Sequence, residues 1–423
     1  MCKRILVATV TVLMLLASQR KLVRADKPTS LETAFAPRLV RWSADGTVFA
    51  AGGLAGTTPM TQIWNADGTP VTTLNNVALV SWSPSKNVFT GIRRRQNIGQ
   101  IGVWSSTGDV VFLLAEYSTR DLVPFPFWSP DGSYLVITAQ HDSTVVLINS
   151  DGTYATSLPS EYGIVDADFG LLPAVVWSPD GKTIASVIPS PAGRKSYAIQ
   201  LWDLDGKPIH TFDHVFASIE DLAFSPDGAY VIGVINRRHT DSQPLEDVLL
   251  WKSDGTFVSS LGDGQVTVSS NSAPVLWSPD GKKVAWFAYR NQRVVLVLHD
   301  VAAQQEIPID APVGDDFVWL MGWSPDSQRL GVGAQHSTRI YNADGTLRAS
   351  LSANPVSPSL LAWRPDGQAF VIVGAPTEMV DLDAHVLMTF DDVGQPFWSP
   401  DGTRLITLGQ KTSVLSLWSI EAP

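Results

Sequence analysis

Eight aspartates recur along the chain in one local setting, following Ser-Pro or a close variant and usually preceding glycine. The run Trp-Ser-Pro-Asp-Gly stands intact at Trp128, Trp177, Trp277 and Trp398. Repeated carboxylates could form an array of calcium ligands or of acid–base groups. The same residue order is typical of a hairpin turn, because proline presets φ, aspartate tolerates the third position and glycine accepts a positive φ. We therefore interpret these aspartates as turn residues.

Other candidates for chemistry are sparse. Asp203-Leu204-Asp205-Gly206 resembles the start of a calcium loop but has no glutamate at the required distance downstream. The adjacent acids Asp315-Asp316 and Asp391-Asp392 are weak indicators of glycoside chemistry. The sequence contains no Gly-x-Ser-x-Gly, no His-Glu-x-x-His and no phosphate-binding glycine loop. We expect no catalytic residues and no cofactor.

Cysteine usage limits metal sites and cross-links. The only cysteine is Cys2, so no internal disulfide can form. Zinc sites that need four cysteines, or two cysteines and two histidines, are excluded for the same reason. The sequence predicts no metal site, and stability must come from packing.

The aspartate-containing turns belong to a longer repeat. Variants of the first anchor begin at five further positions, spaced with the intact copies by 35 to 53 residues: Trp42, Trp82, Phe224, Trp323 and Trp363. A second anchor follows within each unit, as in Leu201-Trp202-Asp203 and Leu250-Trp251-Lys252. This spacing is typical of a four-stranded propeller blade. The predicted fold is all-β, a single β-propeller of about nine four-stranded blades, or eight if the second or the eighth unit is irregular.

The two chain ends predict how the ring closes. The ninth unit ends at Trp418–Pro423 without a fourth strand, whereas Thr29–Ala34 aligns with fourth-strand segments such as Leu347–Leu351. The N-terminal strand is expected to complete the last blade and so remove exposed edges. Residues 26–423 then form one propeller domain.

Several stretches resemble a known family. Gln200–Asp203, Thr211–His214 and Leu222–Gly228 together are similar to a bacterial WD40 repeat, and the Trp-Ser-Pro-Asp-Gly-Lys anchors resemble the WD40-like repeats of TolB-type periplasmic propellers. The resemblance covers about residues 30–420. It implies a propeller that binds partner proteins and has no activity of its own. A propeller enzyme, or a lectin-like ligand-binding protein with a site at the central channel, is the alternative.

The N-terminus has a different character. Lys3 and Arg4 precede an apolar run, Ile5–Ala17, so residues 1–25 are typical of a signal peptide or an N-terminal anchor, and we expect an exported protein, periplasmic, extracellular or surface-attached. The run is short for a membrane span. The remaining chain carries 41 acidic and 25 basic residues, which disfavours nucleic acid as a partner.

Arginine clusters fall between the second and third strands of several units, on loops that a rigid scaffold can present to partners. The candidate partner-binding residues are Arg93, Arg94, Arg95, Arg194, Arg237, Arg238, Arg290 and Arg293, together with Tyr162 and Phe169 in the long connection Leu158–Pro173. Solvated charge is the alternative interpretation of each cluster. We predict a monomer whose protein partner has an acidic surface.

Overall fold

The computed structural model describes most of the chain from residue 27 onward. The described ranges are 27–118, 125–139, 144–159, 175–190, 196–212, 216, 218–237, 245–262, 265–266, 275–290, 293–310, 318–334, 337–351, 361–374, 376–391, 393–409 and 412–421. Throughout these ranges the regular secondary structure is β-strand. None of the described segments is a helix long and apolar enough to cross a membrane. The predicted signal or anchor, residues 1–25, lies outside them.

The described strands are numbered in chain order, and the blades follow one another along the chain. The first strand and blades 1 to 3 comprise β1 Thr29–Leu31, β2 Ala36–Trp42, β3 Val48–Ala55, β4 Thr58–Asn65, β5 Pro70–Asn75, β6 Val77–Trp82, β7 Val88–Arg95, β8 Ile98–Ser105, β9 Val110–Ser118, β10 Phe125–Trp128, β11 Tyr134–Ala139, β12 Thr144–Asn149 and β13 Tyr154–Pro159. Blades 4 to 6 comprise β14 Val175–Trp177, β15 Ile184–Pro189, β16 Tyr197–Trp202, β17 Pro208–Thr211, β18 Ser218–Phe224, β19 Tyr230–Arg237, β20 Leu245–Lys252, β21 Phe257–Ser260, β22 Gln265–Val266, β23 Val275–Trp277, β24 Lys283–Arg290, β25 Arg293–Asp300 and β26 Gln305–Ile307. Blades 7 to 9 comprise β27 Val318–Trp323, β28 Arg329–Ala334, β29 Ser337–Asn342, β30 Leu347–Leu351, β31 Leu361–Trp363, β32 Ala369–Ile372, β33 Thr377–Asp381, β34 Val386–Phe390, β35 Gln395–Trp398, β36 Arg404–Leu408 and β37 Leu415–Ser419.

Each blade is an antiparallel meander of strands a, b, c and d from the inside of the ring outward, as in β2-β3-β4-β5. In blade 6 two short segments, β22 and β23, share the strand-a position along β24. Because neighbouring strands alternate in direction, all a–b and c–d turns lie on one side of the disc, called the turn face. The b–c and d–a connections lie on the other side, called the b–c face.

The ring closes as the sequence predicts. The ninth sheet has the order β1-β37-β36-β35, with Leu31 opposite Leu415 and Thr29 opposite Leu417. Leu31 is buried in a cluster with Leu415 and Leu417. The described residues form nine blades, and the second and eighth units, β6–β9 and β31–β34, are both complete four-stranded sheets.

The repeated aspartates are turn residues, as predicted. In blade 4 the backbone N–H of Lys182 donates to Asp180 Oδ1 at 3.1 Å and Ser178 Oγ donates to the same oxygen at 2.7 Å. Gly181 follows with φ +69°, a conformation that glycine adopts without a Cβ penalty. The Ser178 hydrogen bond and the Lys182 N–H lower the pKa of Asp180 and stabilise its carboxylate inside the turn.

The same turn bond recurs in eight of the nine blades. In each of them a backbone N–H two residues on donates to the aspartate at 2.9–3.2 Å: Asp45, Asp131, Asp180, Asp227, Asp280, Asp326, Asp366 and Asp401. A carboxylate that holds its own turn is not arranged as an active site or a calcium array.

The anchor tryptophans join neighbouring blades. At five seams the indole Nε1–H donates to the carbonyl of the residue just before the anchor position of the preceding blade, at 3.0–3.3 Å: Trp42 to Phe397, Trp82 to Arg41, Trp323 to Leu276, Trp363 to Gly322 and Trp398 to Ala362. The Trp42 bond crosses from blade 1 to blade 9 and so belongs to the closure of the ring. The tryptophans predicted at strand ends therefore pack between blades.

Ring closure can be tested at Leu31. Leu31→Ala removes a side chain that is 5% exposed, and we expect the free energy of unfolding to fall by about 2–5 kcal/mol. Ser30→Ala, at an exposed neighbouring position on the same strand, is the control and should change it by less than about 0.5 kcal/mol. Denaturant unfolding measures both, and equal effects would contradict closure through β1.

The seam hydrogen bond can be separated from tryptophan packing. Trp82→Phe keeps an aromatic ring beside Phe89 but removes the donor to Arg41 O, whereas the buried Trp177 Nε1 has no hydrogen-bond partner in the described structure. We expect Trp82→Phe to lower the free energy of unfolding by about 1 kcal/mol more than Trp177→Phe. Denaturant unfolding of the two variants provides the comparison, and equal losses would show that the N–H contributes nothing.

Candidate docking face

The best-described arginine cluster ends strand b of blade 2. Arg93, Arg94 and Arg95 are the last residues of β7, and a two-residue turn connects them to β8. Arg93 is half-buried, whereas Arg94 and Arg95 are exposed. The backbone N–H of Arg94 donates to Asn76 O at 2.8 Å, so a strand-end hydrogen bond holds the cluster. The b–c face therefore presents two exposed guanidinium groups on ordered backbone.

Strand register brings an aromatic residue to the same corner. Arg94 pairs with Gly99 on β8, and Gly99 pairs with Tyr117 on β9. A Cβ at Gly99 would lie 2.4 Å from Tyr117 Cζ, so the phenol ring lies directly over this glycine. Burial raises the pKa of Tyr117, and the nearby Arg94 charge offsets part of that shift.

A cavity of about 480 Å³ opens beside the arginines. It is lined by Asn97, Ile98, Glu116, Tyr117 and Ser118. The Tyr117 hydroxyl is buried without a hydrogen-bond partner in the described structure. The lining combines apolar, amide, phenol and hydroxyl groups with the Glu116 carboxylate, so the cavity can accept an uncharged side chain while the adjacent guanidinium groups bind a carboxylate of the partner.

The arginines of blade 6 have a different environment. Arg290 Nη1 donates to Glu306 Oε2 at 2.8 Å, and Arg290 Nη2 donates to Glu306 Oε1 at 2.6 Å, which forms a bidentate pair with strand d of the same blade. Arg293 starts the next strand opposite Arg290 and is exposed. Arg290 therefore supports the blade edge, and Arg293 is an exposed residue beside it.

The side chains of the remaining candidate partner-binding residues lie outside the described part of the structure. The backbone of Arg237 ends β19, on the same side of the disc as Arg95. Arg194, Arg238, Tyr162 and Phe169 lie outside the described residues. Sequence reasoning missed Tyr117 and Ile98, whose place beside the arginines follows from the pairing of β7, β8 and β9 and not from any local motif.

One group on the turn face has the composition of a metal site. Ligand atoms of Asp381, Asp383 and His385 lie within 4.8 Å of one another at the c–d turn of blade 8. The backbone N–H groups of Asp383 and His385 donate to Asp381 Oδ1 at 2.9 and 2.8 Å, and Asp383 forms an ion pair with Arg348. Turn geometry and the ion pair account for this arrangement.

The alternative function places a site at the central channel, and the innermost strands would line that site. Asp221 lies on strand a of blade 5, beside a break in register between Ile219 and Asp221. Burial raises the pKa of Asp221 to about 6, although the backbone N–H of Leu222 donates to this carboxylate. A raised carboxyl pKa occurs at catalytic sites and also in structural positions.

The raised pKa of Asp221 predicts that the free energy of unfolding depends on pH. Because its folded pKa lies above the ordinary value of 3.8, the folded chain binds more protons between about pH 4 and pH 6. Its contribution to the free energy of unfolding therefore falls as pH rises through that window. Asp221→Asn should be more stable than the parent at pH 7 by about 1–3 kcal/mol, with the difference vanishing near pH 4.

Urea unfolding at several pH values measures this difference. Asp180→Asn is the control, and its effect on stability should have the opposite sign. Hydrogen bonds lower the pKa of Asp180, so replacing its carboxylate lowers the free energy of unfolding above pH 4. A stability difference for Asp221→Asn that does not change with pH would show that Asp221 titrates normally.

Comparisons with known proteins agree with this architecture. No family model matches the chain. The intraflagellar transport protein 80 homologues of Mus musculus and Rattus norvegicus are each 24% identical over 317 residues, which cover 74% of this chain and 36% of each relative. The chain thus spans little more than a third of the length of these curated relatives.

A solved structure extends the comparison to nearly the whole chain. The crystal structure of the C-terminal WD40 domain of Sif2 superposes with a TM-score of 0.55 at 15% identity and covers 94% of this chain and 99% of that domain. At this identity the likeness concerns the fold. With nine antiparallel four-stranded sheets closed by an N-terminal strand, the chain is a β-propeller of the WD40-like fold.

Proposed function

We propose that the chain is a non-enzymatic scaffold that binds partner proteins through its b–c face. The observation that carries this proposal is the corner of blade 2, where exposed Arg94 and Arg95 adjoin the cavity containing Tyr117 and Ile98. Arginine and tyrosine are enriched among residues that dominate binding energy at protein interfaces. The WD40-like fold supports the same class of function, although fold alone does not determine function.

The chemistry of the two faces favours one side of the disc. On the turn face, the aspartates are engaged by backbone N–H and serine hydroxyl donors, so their carboxylates are already satisfied. On the b–c face, the exposed residues Arg94 and Arg95 end strand β7. A carboxylate that already accepts hydrogen bonds within its own turn contributes less binding energy to a partner than an exposed guanidinium on an ordered strand.

The proposed partner has an acidic surface. Apart from residues 1–25 the chain carries 41 acidic and 25 basic residues, so the overall field repels an acidic protein at long range. A local cluster of arginines then orients the partner toward one corner, where unlike charges meet, and so supplies specificity.

We also propose that the protein is exported. Lys3 and Arg4 before the apolar run Ile5–Ala17 are typical of a signal peptide or an N-terminal anchor. The resemblance of the anchors to TolB-type periplasmic repeats supports this compartment.

Charge reversal tests the docking face. The full chain is used to capture partners from the secreted and envelope fractions of its source cells, and captured proteins are identified by mass spectrometry. Arg94→Asp with Arg95→Asp should weaken the affinity for an acidic partner at least about tenfold, because two attractive contacts become repulsive. Titration of the purified partner by calorimetry gives the affinity.

The matched control makes the same change of charge on the turn face. Lys182→Asp with Lys282→Asp alters two exposed lysines whose side chains are 78% and 71% accessible. Binding that survives the arginine reversal, or that the lysine reversal weakens equally, would reject the b–c face as the docking site.

A further inference from the structure

The residue just before each first anchor lies on the innermost strand of its blade, and together these residues form one level of the central channel. Each pairs with the residue nine positions further on, in strand b, as Arg41 does with Ala50 and Phe397 with Ile406, so all lie at the same height. Strand b covers the outer side of strand a and neighbouring blades cover its two faces, so any surface that strand a still exposes borders the channel. We call these residues the channel ring.

The channel ring is mostly apolar and partly exposed. Its half-buried apolar members are Phe127, Val176, Ala223, Leu276, Ala362 and Phe397. At five seams the carbonyl of a ring member accepts the anchor indole N–H of the next blade at 3.0–3.3 Å, which holds the ring rigidly. An apolar ligand that covers the exposed part of these side chains removes it from water, and this stabilises the complex.

Arg41 is the charged member of the channel ring. It is exposed, and within the described residues its guanidinium donates one hydrogen bond, to Val40 O at 3.3 Å, and forms no ion pair. Its backbone carbonyl accepts the Trp82 indole N–H at 3.0 Å, so the strand that carries the guanidinium is fixed. The ring member of the neighbouring blade 9 is Phe397, whose carbonyl accepts the indole N–H of Trp42. A free guanidinium beside apolar surface fits a ligand that has an anionic head and an apolar tail.

The other charges on the inner strands favour an anion at Arg41. On the described inner strands, charged residues occur in two blades only: Arg38 and Arg41 on β2 of blade 1, and Glu220 and Asp221 on β18 of blade 5. These two blades are almost opposite each other in the ring of nine. An anion in the channel is therefore attracted to blade 1 and repelled by the Asp221 carboxylate, and the uncharged strands between them concentrate this field.

We propose that the central channel binds an anionic amphiphile of the long-chain carboxylate class, with its head on Arg41 and its tail along the apolar members of the channel ring. A guanidinium binds a carboxylate through two parallel N–H···O hydrogen bonds, which fixes the head. The tail gains free energy in proportion to the apolar surface that it and the ring remove from water. This site is separate from the arginine corner of blade 2, and it does not depend on the proposed partner binding.

Other classes of small ligand use only part of this site. A short anion such as acetate binds the guanidinium but leaves the apolar ring uncovered, whereas a neutral hydrocarbon covers the ring without using Arg41. A cationic amphiphile is repelled by Arg41. Its possible counter-charge, Asp221, is half-buried and accepts the backbone N–H of Leu222, so this carboxylate is less available than the exposed guanidinium.

Calorimetric titration of the full chain with dodecanoate, below the concentration at which it forms micelles, tests the proposal. Binding should be saturable and at least about tenfold tighter than binding of hexanoate, because the longer tail removes more apolar surface from water. It should also be at least about tenfold tighter than binding of dodecyltrimethylammonium, which has the same tail and the opposite charge.

Substitution of Arg41 locates the head. Arg41→Gln removes the charge but keeps the backbone carbonyl that accepts the Trp82 N–H, and it should weaken dodecanoate binding at least about tenfold. Arg95→Gln is the matched control, since it removes an exposed guanidinium on the b–c face, and it should leave dodecanoate binding unchanged. Circular dichroism verifies that both variants are folded.

Four results would overturn the proposal: a parent that shows no saturable binding of dodecanoate, equal affinity for the two dodecyl ligands, an Arg41→Gln variant that binds dodecanoate like the parent, or an Arg95→Gln variant that loses binding equally. If Arg41→Gln does not fold, the comparison of the three ligands on the parent decides. Arg41→Gln retains Arg94 and Arg95, so loss of dodecanoate binding with retained partner capture separates this inference from the proposed function.

Discussion

Stability of this ring depends on the seam between consecutive inner strands. A four-stranded blade cannot bury both of its faces alone, so each must pack on its two neighbours. At five seams the anchor tryptophan serves this need twice, because its ring fills the seam while its indole N–H donates to a carbonyl of the preceding blade, as Trp82 does to Arg41. Where the anchor serine is replaced by Arg364, the buried guanidinium lies over the Trp398 ring of the next blade, 5.9 Å from its centroid. The seam thus tolerates a change of residue when the contact with the next blade persists.

Because the seams between blades must be preserved all round the ring, partner binding is restricted to residues outside them. The turn face repeats the same hydrogen bonds from blade to blade, and its carboxylates are engaged in holding hairpins together. The connections of the b–c face differ in length and sequence from blade to blade, so their residues vary without disturbing closure. A rigid frame with one uniform face and one variable face concentrates recognition on the variable one.

Three positions depart from the repeat, and each has a property that the equivalent positions of other blades lack. Asp221 carries a carboxyl on an inner strand, at a position where no other blade has a charged residue, and burial raises its pKa. Gly99 leaves room for Tyr117 to lie beside Arg94, which a larger residue would prevent. β9 extends past the length that the other outer strands share. Each departure leaves the seams intact, which is why the fold accommodates it.

The sequence by itself determined the repeated blade, its turns and the partner strand of the ninth blade, because these depend on local residue order repeated at regular spacing. It left the number of blades at nine or eight, and the structure decided that the second and eighth units are complete sheets. Ser-Pro-Asp-Gly specifies a hairpin wherever it occurs, and an unpaired ninth unit requires a strand from the other terminus. The tertiary structure alone decided that Arg290 is paired with Glu306, that Tyr117 joins Arg94 across Gly99, and that the edge of β9 is open. These contacts depend on strand register and on the bulges that shift it. Register depends on turn geometry and on which face of each strand is buried. The repeated anchors specify the turns of one face only, so they do not encode where the bulges fall.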